Sequence, residues 1–199
     1  MFTHLPPATR GLLSANVAIF ILQYLTHNDY TGLFALEPLG PSFHLWQLVT
    51  YAFLHGGFWH ISFNMFALYM FGGALEQYWG SRRFLLFYFV CVVAAGVTQL
   101  TTTHLAGLDE ATIGASGGIF GLLFAFAFYF PRQRLMLLFL PIAVPAWLFV
   151  TLYGLLELTL GVTGSESGVA HFAHLGGMVG GALVILYWRM QDRARRQPW

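Results

Sequence analysis

Charge is what this sequence has least of. Only 9% of its 199 residues are Asp, Glu, Lys or Arg, against about a quarter in soluble globular domains. Too little charge remains to cover a water-facing surface, which excludes an ordinary cytosolic enzyme and a disordered tail. Lysine is absent altogether, and the net charge of +1 offers nothing to a polyanion, so no nucleic acid is expected as a partner. One cysteine, Cys91, sits in an apolar run, which excludes a disulfide framework and a thiolate metal site. No polar linker divides the chain, so residues 1–199 read as a single domain. What is abundant is apolar: 57% of the residues are hydrophobic and the mean hydropathy is +0.66. The chain reads as an integral membrane protein of the all-α class, with the lipid bilayer as its solvent.

A helix needs about 20 apolar residues to cross ~30 Å of hydrocarbon. Six stretches qualify: 11–26, 59–79, 84–102, 116–130, 135–160 and 169–188. Arg10 before the first resembles a signal-peptide start, but no small-x-small cleavage site follows, so it is read as a span. With six spans, all nine arginines fall at the N-terminus, in the 2–3 or 4–5 connection, or in the C-terminal tail. Asp29, Glu37, Asp109, Glu110 and Glu166 fall in the three connections on the other side. The positive-inside rule then places both termini in the cytoplasm. Trp79 and Trp188 beside arginines, and Trp59 at the outer end of span 2, fit interfacial belts. The outer loop 28–58 is rich in Phe, Leu and His and is predicted to fold as short helices partly embedded in the interface.

Polar residues inside spans carry a cost and therefore a partner or a function. Span 2 holds His60 and Asn64, four apart on one helical face. Span 4 opens with Gly114-Ala115-Ser116-Gly117-Gly118, and span 6 with His171-Phe172-Ala173-His174-Leu175-Gly176-Gly177. Counted from the cytoplasmic arginines at 1.5 Å per residue, Ser116 lies roughly 24 Å in, His174 roughly 22 Å and Asn64 roughly 27 Å, with His60 a turn further out. Three spans thus deliver a serine, an imidazole and an amide to one layer just below the outer surface. Gly117 with Gly121, and Gly177 with Gly181, form small-xxx-small pairs that let spans 4 and 6 approach closely. A serine beside a neutral imidazole is the arrangement a general base needs. Taken singly, each of these residues is explained by packing; their matched depths are what point to chemistry. His171 and His174 could suggest a metal pair, but no carboxylate or thiolate is evidently placed to complete it, so neither metal nor cofactor is expected.

At these residues the sequence resembles the rhomboid family of intramembrane serine proteases. The matching pieces are His60-Ile61-Ser62-Phe63-Asn64, Gly114-Ala115-Ser116-Gly117, Ala173-His174-Leu175-Gly176-Gly177 and the Glu-x-x-x-Gly of Glu76 to Gly80. The resemblance implies a rhomboid-like bundle in which Ser116 is the nucleophile and His174 its general base, a dyad without a carboxylate. Glu157, counted from Arg134, is expected roughly 34 Å out, at the outer interface. His60, Asn64 and the Ser116 N–H are implied as the oxyanion hole, with Gly114, Ala115 and His171 adjacent. Span 5, with Pro141 and Pro145 able to kink it, is implied to gate lateral entry, Trp147 and Tyr153 being candidate gate residues. The implied partners are transmembrane protein substrates, with no obligatory partner chain. The expected location is an inner (plasma) membrane with the site opening to the extracytoplasmic side, and the absence of lysine suggests a GC-rich bacterial genome. The resemblance departs at Trp46-Gln47, where the family often has Trp-Arg, which takes a charged anchor from the first outer loop. Alternatives are a non-proteolytic relative that binds transmembrane helices, and a small transporter; the retained Ser116 and His174 weigh against the first, and the lack of a continuous polar file against the second.

Overall fold

In α6 (Ser81–Ala106), Phe84, Phe87, Tyr88, Cys91, Val92 and Ala95 are all fully buried. Their spacing of i, i+3, i+4, i+7, i+8 and i+11 makes one stripe on a helix. That stripe packs against α7 (Ser116–Tyr129) and α9 (His171–Arg196) in this computed structural model. Residues 5–27, 31–137, 140–164 and 170–196 are described; Asp29, Glu166 and Val169, named above, lie outside them. α7 is buried on nearly every face from Gly117 to Ala127 and is the centre of the bundle. The glycine faces of α7 and α9 meet as expected. A Cβ at Gly177 would run into the carbonyl of Gly117, and one at Gly181 would come within 3.3 Å of the Gly121 carbonyl oxygen.

Four described helices are long and apolar enough to cross a bilayer: α1 (Pro7–Leu25), α6, α8 (Ala146–Thr163) and α9 to residue 194, with α7 a shorter apolar helix. The second predicted stretch is one helical run in three parts: α4 (Phe58–Ala67), a π-helical turn (Leu68–Gly72) and α5 (Gly73–Trp79). Its C-terminal end clasps α1. The first backbone N–H groups of a helix have no partner within it, and here those of Ala8 and Thr9 donate to the Glu76 carboxylate at 2.9 and 2.6 Å. The Thr9 and Ser81 hydroxyls donate to the same carboxylate at 2.7 and 2.6 Å.

The fifth predicted stretch needs correction. Residues 134–145 are not helical: β1 (Arg134–Leu137) and β2 (Leu140–Pro145) pair antiparallel, and the helix starts only at Ala146. Pro141 lies in β2 and Pro145 directly precedes α8, so neither kinks the helix. A proline there costs no helical hydrogen bond.

The outer loop forms short helices, α2 (Thr31–Phe34) and α3 (Gln47–Thr50), then a 3₁₀ turn (Tyr51–Phe53). Gln47 replaces the charged anchor with four hydrogen bonds. Its fully buried side chain accepts from the N–H of Glu37 (3.3 Å) and His44 (3.1 Å) and donates to the carbonyls of Ser42 (3.1 Å) and Leu33 (3.4 Å). The Trp46 indole N–H donates to the same Leu33 carbonyl at 3.0 Å.

Candidate active site

Ser116 is the first residue of α7, so its backbone N–H has no acceptor within that helix. The approach to it is set by Gly114, whose φ of +125° suits glycine alone and whose N–H donates to the Tyr51 carbonyl at 2.9 Å. Tyr51 is itself fixed to α6, its hydroxyl donating to the Val92 carbonyl at 2.8 Å. Ala115, buried, caps α7, its carbonyl accepting from the Ile119 N–H.

The Ser116 hydroxyl oxygen lies 2.8 Å from Nε2 of His174 on α9. The His174 ring lies flat on Phe120 of α7, ring centroids 4.1 Å apart and planes 5° from parallel. Across the site, His60 and Asn64 stand one helical turn apart on α4. The Gly56 N–H donates to Nδ1 of His60 at 3.3 Å. In the neutral ring this leaves the proton on Nε2, a donor, and that nitrogen lies against Gly114, 2.7 Å from where a Cβ would stand. His55, in the connection before α4, packs edge-on against His60 at 5.0 Å. Burial, reinforced by the neighbouring His60, lowers the His55 pKa from the usual 6.5 to about 4. His60, Asn64, Ser116 and His174 all line one cavity of about 1210 Å³. Phe63 of α4 and Met70 of the π-helical turn form part of one side, and Phe149, Leu152, Tyr153 and Leu156 of α8 part of the other.

The structure thus brings together the four side chains that depth counting put in one layer, and adds one that it missed. Glu157 stands beside His174 rather than a further turn or more beyond it. It is 3% exposed, and its Oε2 lies 2.8 Å from Nδ1 of His174 and 2.7 Å from Nδ1 of His171. The expectation of a serine–histidine pair with no carboxylate nearby is corrected accordingly. The miscount has a plain cause: helical rise was counted through the β1–β2 hairpin. From Ala146, Glu157 is only eleven residues along, roughly 17 Å rather than roughly 34 Å. Pro145 immediately before an apolar run was the available sign of a later helix start.

His171 is also buried, its Nε2 without a hydrogen-bond partner among the described residues. Glu157, His171 and His174 offer potential metal-ligating atoms within 4.8 Å of one another. The lack of a placed carboxylate, the ground on which a metal was not expected, therefore falls. The gate candidates separate. Tyr153 lines the cavity, its ring 4.9 Å from Phe120. Trp147 is half-exposed in the first turn of α8 and is not among the lining residues.

Comparison with known proteins gives the family. Residues 42–191 match the family described as Rhomboid domain. Rhomboid protein 1, mitochondrial, of Saccharomyces cerevisiae is 29% identical over 217 residues, covering 99% of this chain and 60% of that protein. The putative rhomboid protease YdcA of Bacillus subtilis is 32% identical over 152 residues, covering 76% of this chain and 70% of that one. Rhomboid protease GlpG of Serratia proteamaculans is 26% identical over 201 residues, covering 96% and 66%. The chain therefore spans about two-thirds of the length of these relatives.

Proposed function

The chain belongs to the rhomboid family, and from that premise we propose that it is an intramembrane serine protease that cuts peptide bonds in or near transmembrane segments of other membrane proteins. The observation that carries this reading is the 2.8 Å contact between the Ser116 hydroxyl and His174 Nε2, inside a cavity with apolar walls.

In the proposed reaction the Ser116 oxygen attacks the substrate carbonyl as its proton passes to His174 Nε2. The negative charge that forms on the carbonyl oxygen meets the N–H of Ser116, the Asn64 amide and the Nε2–H of His60. Preorganised donors in a site largely closed to water act where charge develops and need no reorganisation at that moment. His174 then returns the proton to the leaving amine, and water, activated by the same ring, hydrolyses the acyl-enzyme. We assign no step to a metal or cofactor. The Glu157–His separations of 2.7 and 2.8 Å are those of hydrogen bonds.

The proposed membrane placement has six spans, the run from α4 to α5 and α7 joining the four longer helices, with both termini cytoplasmic. The partition of arginines supports it. So does α7: fourteen residues rise roughly 21 Å, less than a ~30 Å hydrocarbon layer, which would set Ser116 below the outer surface. A substrate helix entering between α4 and α8 would meet Phe63 and Met70 on one side and Leu152 and Leu156 on the other. We place the protein in a bacterial plasma membrane, open to the extracytoplasmic side.

The test is cleavage of a panel of single-span substrates in proteoliposomes, with product masses locating the cut. Wild type is expected to cut near the outer membrane boundary, and Ser116→Ala and His174→Ala to leave the panel intact. Cleavage by Ser116→Ala at the wild-type rate would sink the assignment.

A further inference from the structure

We propose that Glu157 is the positioning residue of a Ser116–His174–Glu157 relay, held in turn by His171. This rests on the protease reading above and assigns it a third member.

Three helices meet at this point: α7 supplies the serine, α9 both histidines, and α8 the carboxylate. On α8, Ala146, Val150 and Glu157 are the buried residues, at i, i+4 and i+11. Glu157 therefore lies on the face by which α8 docks on the bundle. An ionised carboxylate only accepts hydrogen bonds. With Oε2 at 2.8 Å, the His174 Nδ1 must be the protonated nitrogen. That leaves the Nε2 lone pair facing the Ser116 hydroxyl at 2.8 Å, which is the tautomer a general base requires. Without the carboxylate, nothing in this contact selects that tautomer over the one with its proton on Nε2.

His171 has a different part. Its ring is edge-on to His174 with centroids 6.4 Å apart, and its Nδ1–H donates to the same Oε2 at 2.7 Å. This second donor fixes the rotamer of the carboxylate on α8. When the Ser116 proton moves to Nε2, His174 becomes a cation beside an anion already in place. Glu157 stays ionised throughout, and the proton goes on from Nε2 to the leaving amine.

The experiment uses the full chain in proteoliposomes, a transmembrane peptide cut by wild type, and a fluorophosphonate probe. Glu157→Gln, which keeps shape but presents an amide to both Nδ1 atoms, is expected to lower kcat about 10²-fold or more, with KM within about twofold. The rate of fluorophosphonate labelling should fall in step, and Glu157→Asp should recover part of the loss. Nitrogen-15 spectra of histidine-labelled wild type are expected to show His174 protonated on Nδ1 at neutral pH. Wild-type kcat in Glu157→Gln, a loss confined to KM, or a wild-type His174 protonated on Nε2 would each overturn the proposal. The spectrum of the wild type decides the matter even if the variants do not fold. Ser116→Ala separates the two levels: if it is inactive while Glu157→Gln is unimpaired, the relay fails and the protease reading stands.

Discussion

Adding one methyl group at Gly114 should disable catalysis by moving a residue other than the one mutated. In Gly114→Ala the new Cβ would stand 2.7 Å from Nε2 and 2.9 Å from Cε1 of His60, where ordinary contact begins at 3.4 Å. The ring must retreat by several tenths of an ångström, and its Nε2 is the atom assigned to the oxyanion. Loss of one such donor costs about 10²–10³ in kcat. A second cost is independent of His60. Alanine at a φ of +125° carries about 1–3 kcal/mol of backbone strain. At about 2–4 °C per kcal/mol for a chain of this size, the thermal midpoint should fall by several degrees. A double-mutant cycle separates the two costs. In a His60→Ala background the ring is already gone, so Gly114→Ala should lower kcat no further while still lowering the midpoint. Single-turnover cleavage and thermal unfolding in the same detergent measure both quantities. Wild-type kcat in Gly114→Ala, or full additivity with His60→Ala, would refute the placement of His60 as a donor.

The outer loop should depend on Gln47: Gln47→Ala strands three backbone groups, the N–H of Glu37 and His44 and the Ser42 carbonyl, while Leu33 keeps the Trp46 indole. The loss is about 2–4 kcal/mol, and limited proteolysis between α2 and α3 should accelerate; unchanged protection would contradict this. Gln47→Glu keeps both acceptor contacts but sets an unpaired, fully buried carboxylate against the Ser42 and Leu33 carbonyls, so it should destabilise the loop at least as much. His55 predicts an acid limb of stability. Its folded pKa of about 4 lies below the ordinary 6.5, so the unfolded chain takes up the proton first. Stability is then complete above about pH 6.5 and declines as pH falls toward 4, by about 2 kcal/mol from pH 7 to 5. His55→Phe should flatten that limb in thermal unfolding, and an unaltered slope would discount it. Glu76→Ala leaves the N–H groups of Ala8 and Thr9 without their acceptor and should loosen α1 by about 2–3 kcal/mol, read as faster amide exchange in its first turn. Finally, if the Glu157 cluster is hydrogen-bonded and holds no metal, dialysis against a chelator should leave kcat unchanged; a loss restored by zinc would reverse that view.

The positions of Ser116 and His174 were legible because each sits at the start of a single continuous helix, and those of His60 and Asn64 because their run stays helical from Phe58 to Trp79 despite the wider turn within it. There, residue count converts directly to depth, and the glycine pairs announced which helices touch. Glu157 was illegible for the converse reason. An apolar hairpin, Arg134–Leu137 with Leu140–Pro145, has the composition of a membrane helix but folds back on itself, so counting through it doubled the apparent depth. At Gln47 the sequence showed only the missing charge. A neutral amide both donates and accepts, and in a loop folded on its own backbone it meets four partners where a guanidinium could only donate. Neither β pairing nor amide satisfaction is visible in a hydropathy profile, because both depend on where the chain returns.

The π-helical turn at Leu68–Gly72 has a consequence for how the run from α4 to α5 can serve two masters. Asn64 and Glu76 are twelve positions apart, and on a regular helix at about 100° per residue they would point about 120° away from each other. One extra residue absorbed in the wider turn cuts that divergence to about 20°, so both polar heads face inward, one toward the reaction chamber and one toward the first helix. Winding all twelve steps evenly, without the wider turn, would bring back the divergence of about 120° and rotate one of the two out into the fatty surroundings. Deleting one residue of the turn instead leaves eleven even steps and keeps both inward.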